Sequence, residues 1–242
     1  MADLRKRVLA LVPAYNEEGS IVSAIEDLKA HASDIDYLVV NDGSRDATES
    51  ICRERGYRML SLPINLGLTG AFQAGMKYAY EQSYDYVIQF DADGQHSAAY
   101  ISDLVSCAEG TGADIVVGSR FVNCRKPVSA RMVGSTLITA MIKLTTGQRI
   151  QDPTSGMRLF SSRVVPLFAR DSDFGPEPDT LSYLMRSGFK VCEVPVEMRE
   201  RIAGESYLNF TKSVLYMLRM GVSILLVLWF RKKGEICSSS CL

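Results

Sequence analysis

Two carboxylates separated by one small residue, Asp91 and Asp93 on either side of Ala92, carry the strongest chemical signal in the chain. They follow the apolar run Tyr86 to Phe90, which reads as a buried strand. Residues i and i+2 of an extended backbone project to one side, so the pattern predicts two carboxylates side by side at a strand end. Carboxylates this close repel one another unless a cation compensates. Hard divalent cations such as Mg2+ or Mn2+ suit oxygen ligands and accept phosphate oxygens as further ligands. Gln95, two residues on, would add an amide oxygen. An isolated D-x-D is more often an acidic, solvated turn; its companions reverse those odds.

The companions lie at two other strand-like ends. Asn41-Asp42-Gly43-Ser44 follows Tyr37 to Val40, and Pro13-Ala14-Tyr15-Asn16-Glu17 follows Val8 to Val12. An acidic residue just past a strand can accept hydrogen bonds from a nucleobase edge or a ribose, and Gly43 frees the turn. Taken singly, Asp42 to Ser44 is equally a plain turn with Ser44 or Asp46 capping a helix. That does not account for three such sites at three strand ends. Basic residues complete the set. Arg120 follows the run Ile115 to Val117, Arg131 precedes Ser135 by one helical turn, and Arg201 opens Arg201-Ile202-Ala203-Gly204-Glu205-Ser206. Guanidinium forks match phosphate oxygens.

These residues need a scaffold that gathers strand ends. Strand-like runs at Val8–Val12, Tyr37–Val40, Met59–Leu62, Tyr86–Phe90 and Ile115–Val117 alternate with helical stretches near Ser20–Ala32, Ala47–Arg55, Thr69–Gln82 and Ala98–Glu109. Continuous apolar strands separated by helices predict an α/β domain, a mostly parallel sheet with helices on both faces. Such sheets bind ligands at the carboxyl ends of their strands, where the residues above fall.

As a set, Val12 to Glu18, Val40 to Ser44, Asp91 to His96, Gly118-Ser119-Arg120 and Asp152-Pro153-Thr154-Ser155-Gly156 resemble the family 2 glycosyltransferases, in that family's order and over roughly residues 8 to 206. The pattern is most similar to the branch that glycosylates dolichyl and bacterial polyprenyl phosphates. The resemblance implies a Rossmann-like GT-A fold, a nucleotide-diphosphate sugar donor and inversion at the anomeric carbon. It implies that Pro13, Tyr15, Glu17 and Asp42, with Asp91, Ala92 and Asp93, hold the donor. Asp91, Asp93 and Gln95 would hold Mg2+ or Mn2+. Arg120 and Arg201 would act on the diphosphate, and Arg131 with Ser135 would meet an acceptor phosphate. The family's lysine after G-x-S is Tyr207 here, which leaves that loop without its second cation. A hydroxyl acceptor would need a base, for which Asp152 and Glu177 are candidates; a phosphate acceptor is already ionised and needs none. A transferase extending a saccharide hydroxyl and a non-catalytic nucleotide-sugar-binding module stay open beside the lipid-phosphate acceptor.

The 242 residues suffice for one large domain. A net charge of −1 offers no general field for nucleic acid. The six cysteines form no C-x-x-C pair and only two histidines are present, which argues against structural zinc and fits a reducing compartment. Met1 to Arg7 lacks the apolar core of a signal peptide. Residues 1–209 are expected to be the catalytic domain, 210–233 an apolar segment with a basic end, and 234–242 a flexible tail. Ser213 to Phe230 would span ~27 Å as a helix, but Arg219 would cost about 2.5–3.5 kcal/mol at a bilayer centre. Arg231-Lys232-Lys233 would also end outside. A helix lying in the interface, or packed on a small membrane partner protein or a second copy, is therefore expected, with the enzyme at the cytoplasmic face of the cell membrane.

Overall fold

The computed structural model describes residues 6–124, 126, 130–170, 174–199 and 219–226, apart from the side chains of Ala130 and Arg131. Arg201, most of the 210–233 segment and the 234–242 tail lie outside the described residues.

Seven strands form one sheet, in the order β3-β2-β1-β4-β6-β5-β7. They are β1 (Val8–Ala14), β2 (Asp36–Asn41), β3 (Met59–Ser61), β4 (Tyr86–Gln89), β5 (Ile115–Ser119), β6 (Arg158–Ser161) and β7 (Val191–Pro195). β1 pairs in parallel with β2 and β4, and β2 with β3. β6 runs antiparallel to both β4 and β5, while β5 and β7 are parallel. The helices are α1 (Ile21–His31), α2 (Thr48–Glu54), α3 (Gly67–Glu81), α4 (Ile101–Thr111), α5 (Ala130–Thr146), α6 (Val165–Arg170) and α7 (Pro178–Arg186). Residues 219–226 are also helical.

β1 explains why the first apolar run is continuous. Leu9 and Leu11 point into one hydrophobic cluster, with Phe72 and Met76 of α3 and Phe160 of β6. Ala10 and Val12 point into the other, with Ile21 and Ile25 of α1 and Leu104 of α4. A strand buried on both faces needs no polar alternation. α1 buries Ile21, Ala24, Ile25 and Leu28, the i, i+3, i+4, i+7 stripe of a helix with one face on a core.

The five expected strands and four expected helices are present, with ends shifted by a few residues. One expectation is corrected: β4 ends at Gln89, so Asp91 and Asp93 lie in the turn beyond it, not on the strand. Strand alternation does not place them together. The Asp91 N–H donates to His96 Nδ1 at 2.9 Å and draws the chain away from the sheet, and the Gln95 N–H donates to Asp93 Oδ1 at 3.0 Å.

Candidate active site

The ends of β1, β2 and β4 meet by register. Ala14 pairs with Asn41, and the Asp42 N–H donates to the Ala14 carbonyl at 2.9 Å, so the Pro13–Glu17 and Asp42–Ser44 segments leave the sheet side by side. The Glu17 N–H donates to Thr48 Oγ1 at 2.8 Å and Ser20 Oγ donates to Glu17 Oε2 at 2.5 Å. Asn16 adopts a φ of 56°, and its N–H donates to Ser44 Oγ. Pro13 and Tyr15 are partly exposed beside them. Asp42 is 3% exposed and accepts the Leu66 N–H at 2.7 Å. It thereby fixes the 62–66 loop, which closes a cavity of about 540 Å³ lined in part by Gly43, Ser44, Ser61 and Asn65. Gly43 sits at φ +65°, and a Cβ there would stand 2.8 Å from the Ile64 carbonyl carbon, so glycine is required twice over. Neither Ser44 nor Asp46 caps α2, whose N-cap is Ala47; Asp46 instead closes a turn by accepting the Thr48 N–H and hydroxyl. Burial would raise the Asp46 carboxyl, but those hydrogen bonds outweigh it and hold it below the usual range.

The acidic turn is held from several sides. Asp91 accepts Gln89 Nε2 at 3.1 Å and has His96 Nε2 at 3.5 Å, and its side chain stays a third exposed. His96 is buried at 3%; with Nδ1 accepting the Asp91 amide, its proton sits on Nε2, facing the carboxylate. Asp93 is buried and Gln95 partly so, and Ala92 packs into the core behind them. Gly156 explains the link to the Asp152–Gly156 motif: a Cβ there would come within 2.3 Å of Asp91 Oδ2. The Asp91 carboxylate thus lies on the bare backbone of that loop. Asp27 and Arg199 brace the turn from behind, Asp27 accepting the Ala98 N–H and Arg199 Nη1, while the Arg199 N–H donates to the Gln95 carbonyl. Arg199 Nη2 adds a bond to Ser97 Oγ. Neither residue was legible in the sequence, because they lie 172 positions apart with no motif joining them.

Among the described residues no group of three or more His, Cys, Asp or Glu is gathered to hold a metal by itself. The donor set is a carboxylate pair with a neighbouring amide. Its oxygens suit a hard cation that draws further ligands from a diphosphate. Asp91, Asp93 and Gln95 therefore fit Mg2+ or Mn2+ as part of a ternary site.

On the other side of the sheet centre, Arg120 and Asp152 form a two-pronged ion pair, Nε to Oδ2 at 2.7 Å and Nη2 to Oδ1 at 2.8 Å, with Asp152 wholly buried. The Arg120 N–H and Thr154 hydroxyl donate to the same carboxylate, and Glu193 accepts the Asp152 N–H. Both Asp152 oxygens are therefore committed to the scaffold. Arg158 is buried and donates to the Pro153, Ser155 and Pro176 carbonyls, which clamps the Asp152 loop to the loop carrying Glu177. Glu177 is the partly exposed residue before α7, placed by Pro178 at its first turn.

Arg131 and Ser135 both lie on α5, one turn apart, as expected. Ser135 is 2% exposed, and its Oγ accepts Lys126 Nζ at 2.9 Å. Lys126 was not anticipated. It sits in an irregular loop, without periodicity to mark it, and donates also to Thr139 Oγ1 at 3.2 Å. Burial pushes its ammonium pKa down, opposed by the charge of Asp152 at longer range.

A mostly parallel sheet with an acidic turn and a polar cavity at its strand ends is an α/β architecture of the GT-A kind. The glycosyl transferase family 2 model matches residues 10–166, well over half the chain, and the chain belongs to that family. It is 31% identical over 216 residues to undecaprenyl-phosphate mannosyltransferase of Micrococcus luteus, covering 84% of this chain and 88% of the relative. It is 28% identical to polyprenol monophosphomannose synthase of Mycolicibacterium smegmatis, covering 84% of this chain and 82% of the relative. The fold matches glucosyl-3-phosphoglycerate synthase of Mycobacterium tuberculosis, solved with Mn2+, uridine-diphosphate-glucose and phosphoglyceric acid. That match has a TM-score of 0.69 and 18% identity over 92% of this chain and 80% of that one.

Proposed function

We propose that the protein is an inverting glycosyltransferase that moves a hexose from a nucleotide-diphosphate sugar to the phosphate of a polyprenyl phosphate, undecaprenyl or dolichyl. The observation that carries the choice of acceptor is Asp152. A transferase acting on a hydroxyl needs a carboxylate free to take a proton; of the two candidates Asp152 is buried with both oxygens held by Arg120, which leaves Glu177 as the base a hydroxyl acceptor would have to use. A phosphate oxygen is already charged and needs no such base. The names of the two curated relatives point the same way.

The donor's nucleoside lies in the cavity at Gly43 and Ser44, against Asp42 and the Pro13–Glu17 segment. Its diphosphate lies toward Asp91 and Asp93. Asp91, Asp93 and Gln95 would hold a divalent cation, which would supply charge compensation for the departing diphosphate. Gln89 and His96 hold Asp91 in position, so little reorganisation is needed as charge develops. The acceptor phosphate oxygen attacks the anomeric carbon while the sugar–diphosphate bond breaks on the opposite side. One displacement gives one inversion. Arg201, outside the described residues, would cover the diphosphate.

The enzyme works at the cytoplasmic membrane face, peripherally or through its C-terminal segment. No helix among the described residues is long and apolar enough to cross a membrane. The 219–226 helix exposes Val222, Leu225 and Leu226, which suits a helix lying in the interface, alone or against a small membrane partner or second copy. The test is transfer from radiolabelled nucleotide sugars to a polyprenyl phosphate, with and without EDTA. Glycosylation of a soluble saccharide with the lipid phosphate ignored would overturn this reading.

A further inference from the structure

Beside the Arg120–Asp152 pair lies a second cavity, of about 400 Å³, lined in part by Phe121, Lys126, Thr136, Thr139, Arg149 and Gln151. None of the donor chemistry uses it. Its unusual member is Lys126. The ammonium is partly buried, lies 5.4 Å from the centre of the Phe121 ring, and is held by two hydroxyls of α5. Among the described residues no carboxylate stands within ion-pair distance of it. An ammonium has three donors; Ser135 and Thr139 take two. Burying such a group without an anion is unfavourable, which is why burial depresses its pKa. A phosphomonoester dianion would relieve that cost. Arg149, exposed at the same cavity, supplies a second cation.

Val133, Leu137 and Leu144 form an exposed stripe on α5 at helical spacing. The 219–226 helix packs on α5, where a Cβ at Gly221 would lie 3.0 Å from Met141 Sδ, and adds exposed Val222, Leu225 and Leu226. Neither helix contains an acidic residue, and Lys143, Arg149 and Arg219 are exposed around them. A cationic pocket on a helix that also exposes an aliphatic stripe suits a ligand with a phosphate head and a hydrocarbon chain.

We infer that Lys126 and Arg149 bind the phosphomonoester head of the acceptor directly, and that Ser135 and Thr139 are positioning residues that hold the Lys126 ammonium in place. This rests on the proposed phosphate acceptor and assigns the residues that recognise it. The test uses the purified full chain and a water-soluble short prenyl phosphate, comparing wild type with Lys126→Gln, Lys126→Arg and Arg149→Gln. Loss of one charge-assisted hydrogen bond should raise the acceptor KM about tenfold in Lys126→Gln. Lys126→Arg should restore most of it, and the donor KM should stay within about twofold. Inorganic phosphate should compete with the prenyl phosphate in wild type and fail to do so in Lys126→Gln. A merely structural lysine would instead lower stability and impair donor and acceptor alike. Arg149 is exposed, so Arg149→Gln remains a folded probe even if Lys126→Gln is not; its acceptor KM should also rise. Unchanged acceptor KM in both variants, with wild type using prenyl phosphate, overturns the assignment and leaves the acceptor reading intact. If wild type ignores prenyl phosphate, the acceptor reading fails. Inorganic phosphate then decides the pocket alone: thermal stabilisation of wild type but not Lys126→Gln supports it, and stabilisation of neither overturns it.

Discussion

The two halves of the candidate site hold their charges by different means. On the donor half, at the ends of β1, β2 and β4, acidic groups are fixed by backbone amides and a buried imidazole: Asp42 by Leu66, Asp93 by Gln95, Asp91 by His96. On the other half, along α5, a cation is fixed by hydroxyls of a helix that also exposes Val133, Leu137 and Leu144. On the proposed function, the donor half would receive a cation and a nucleotide with little movement. On the same proposal, the acceptor half would receive an anion that arrives from an apolar phase. Arg120 and Asp152 stand between them as a closed pair that serves the scaffold.

Breaking the donor half should have the largest effect. Asp93→Asn or Asp91→Asn removes several kcal/mol of charge stabilisation, so turnover should fall roughly 10³-fold or more. The melting temperature should hold, because a carboxylate repulsion goes too. Calorimetry beside a transfer assay checks both, and full activity of either variant in excess EDTA would exclude the cation. Asp152→Asn should act on the scaffold. Breaking a buried pair costs 3–5 kcal/mol, and the low end, about 3, fits because Arg120 can partly reach solvent. Urea unfolding should show that loss, whereas a catalytic base would lose turnover at unchanged stability.

Gly156→Ala separates geometry from folding. The added Cβ meets the Asp91 carboxylate, which is a third exposed and can swing toward solvent off its Gln89 and His96 contacts. Stability should therefore change little, while misplacing the carboxylate by about 1 Å should cost roughly 10²-fold in turnover. An equal fall in melting temperature would show the contact to be mainly structural.

Much of the donor half was legible because its elements carry strong local signals. Val8–Val12 and Tyr37–Val40 are buried on both faces, and polar residues begin abruptly at their ends. The acidic pair was found, but for a wrong local reason: a turn pinned by His96, not strand alternation, sets its geometry. β6 and β7 escaped notice. β6 carries the buried cation Arg158, which donates to carbonyls of the loops on either side of it, and β7 is a partly exposed edge. Asp152 looked like a possible base because sequence does not reveal that Arg120 saturates it from 32 positions away. Lys126 carries no motif, and its role follows from the hydroxyls that α5 brings to it.

The smallest effect on the donor half should come from the C-terminus. Deleting the residues after Lys212 removes the 219–226 helix, with its exposed Val222, Leu225 and Leu226, and the Arg231-Lys232-Lys233 cluster; it also lowers stability, because Met220 and Ile224 leave the core. Each basic residue near an anionic membrane contributes roughly 1 kcal/mol to binding. The truncated protein should leave anionic vesicles in flotation assays while nucleotide-sugar binding stays within about twofold, since donor contacts are untouched. Retention on vesicles would place the membrane contact wholly on α5.

The most direct measurement is the structure of the product. Purified enzyme, a divalent cation, a panel of nucleotide-diphosphate sugars and a polyprenyl phosphate should give one hexose joined through the lipid phosphate. NMR of its anomeric coupling should show configuration opposite to the donor's. Retained configuration, or a sugar attached to a saccharide hydroxyl with the lipid phosphate unconsumed, would contradict the account.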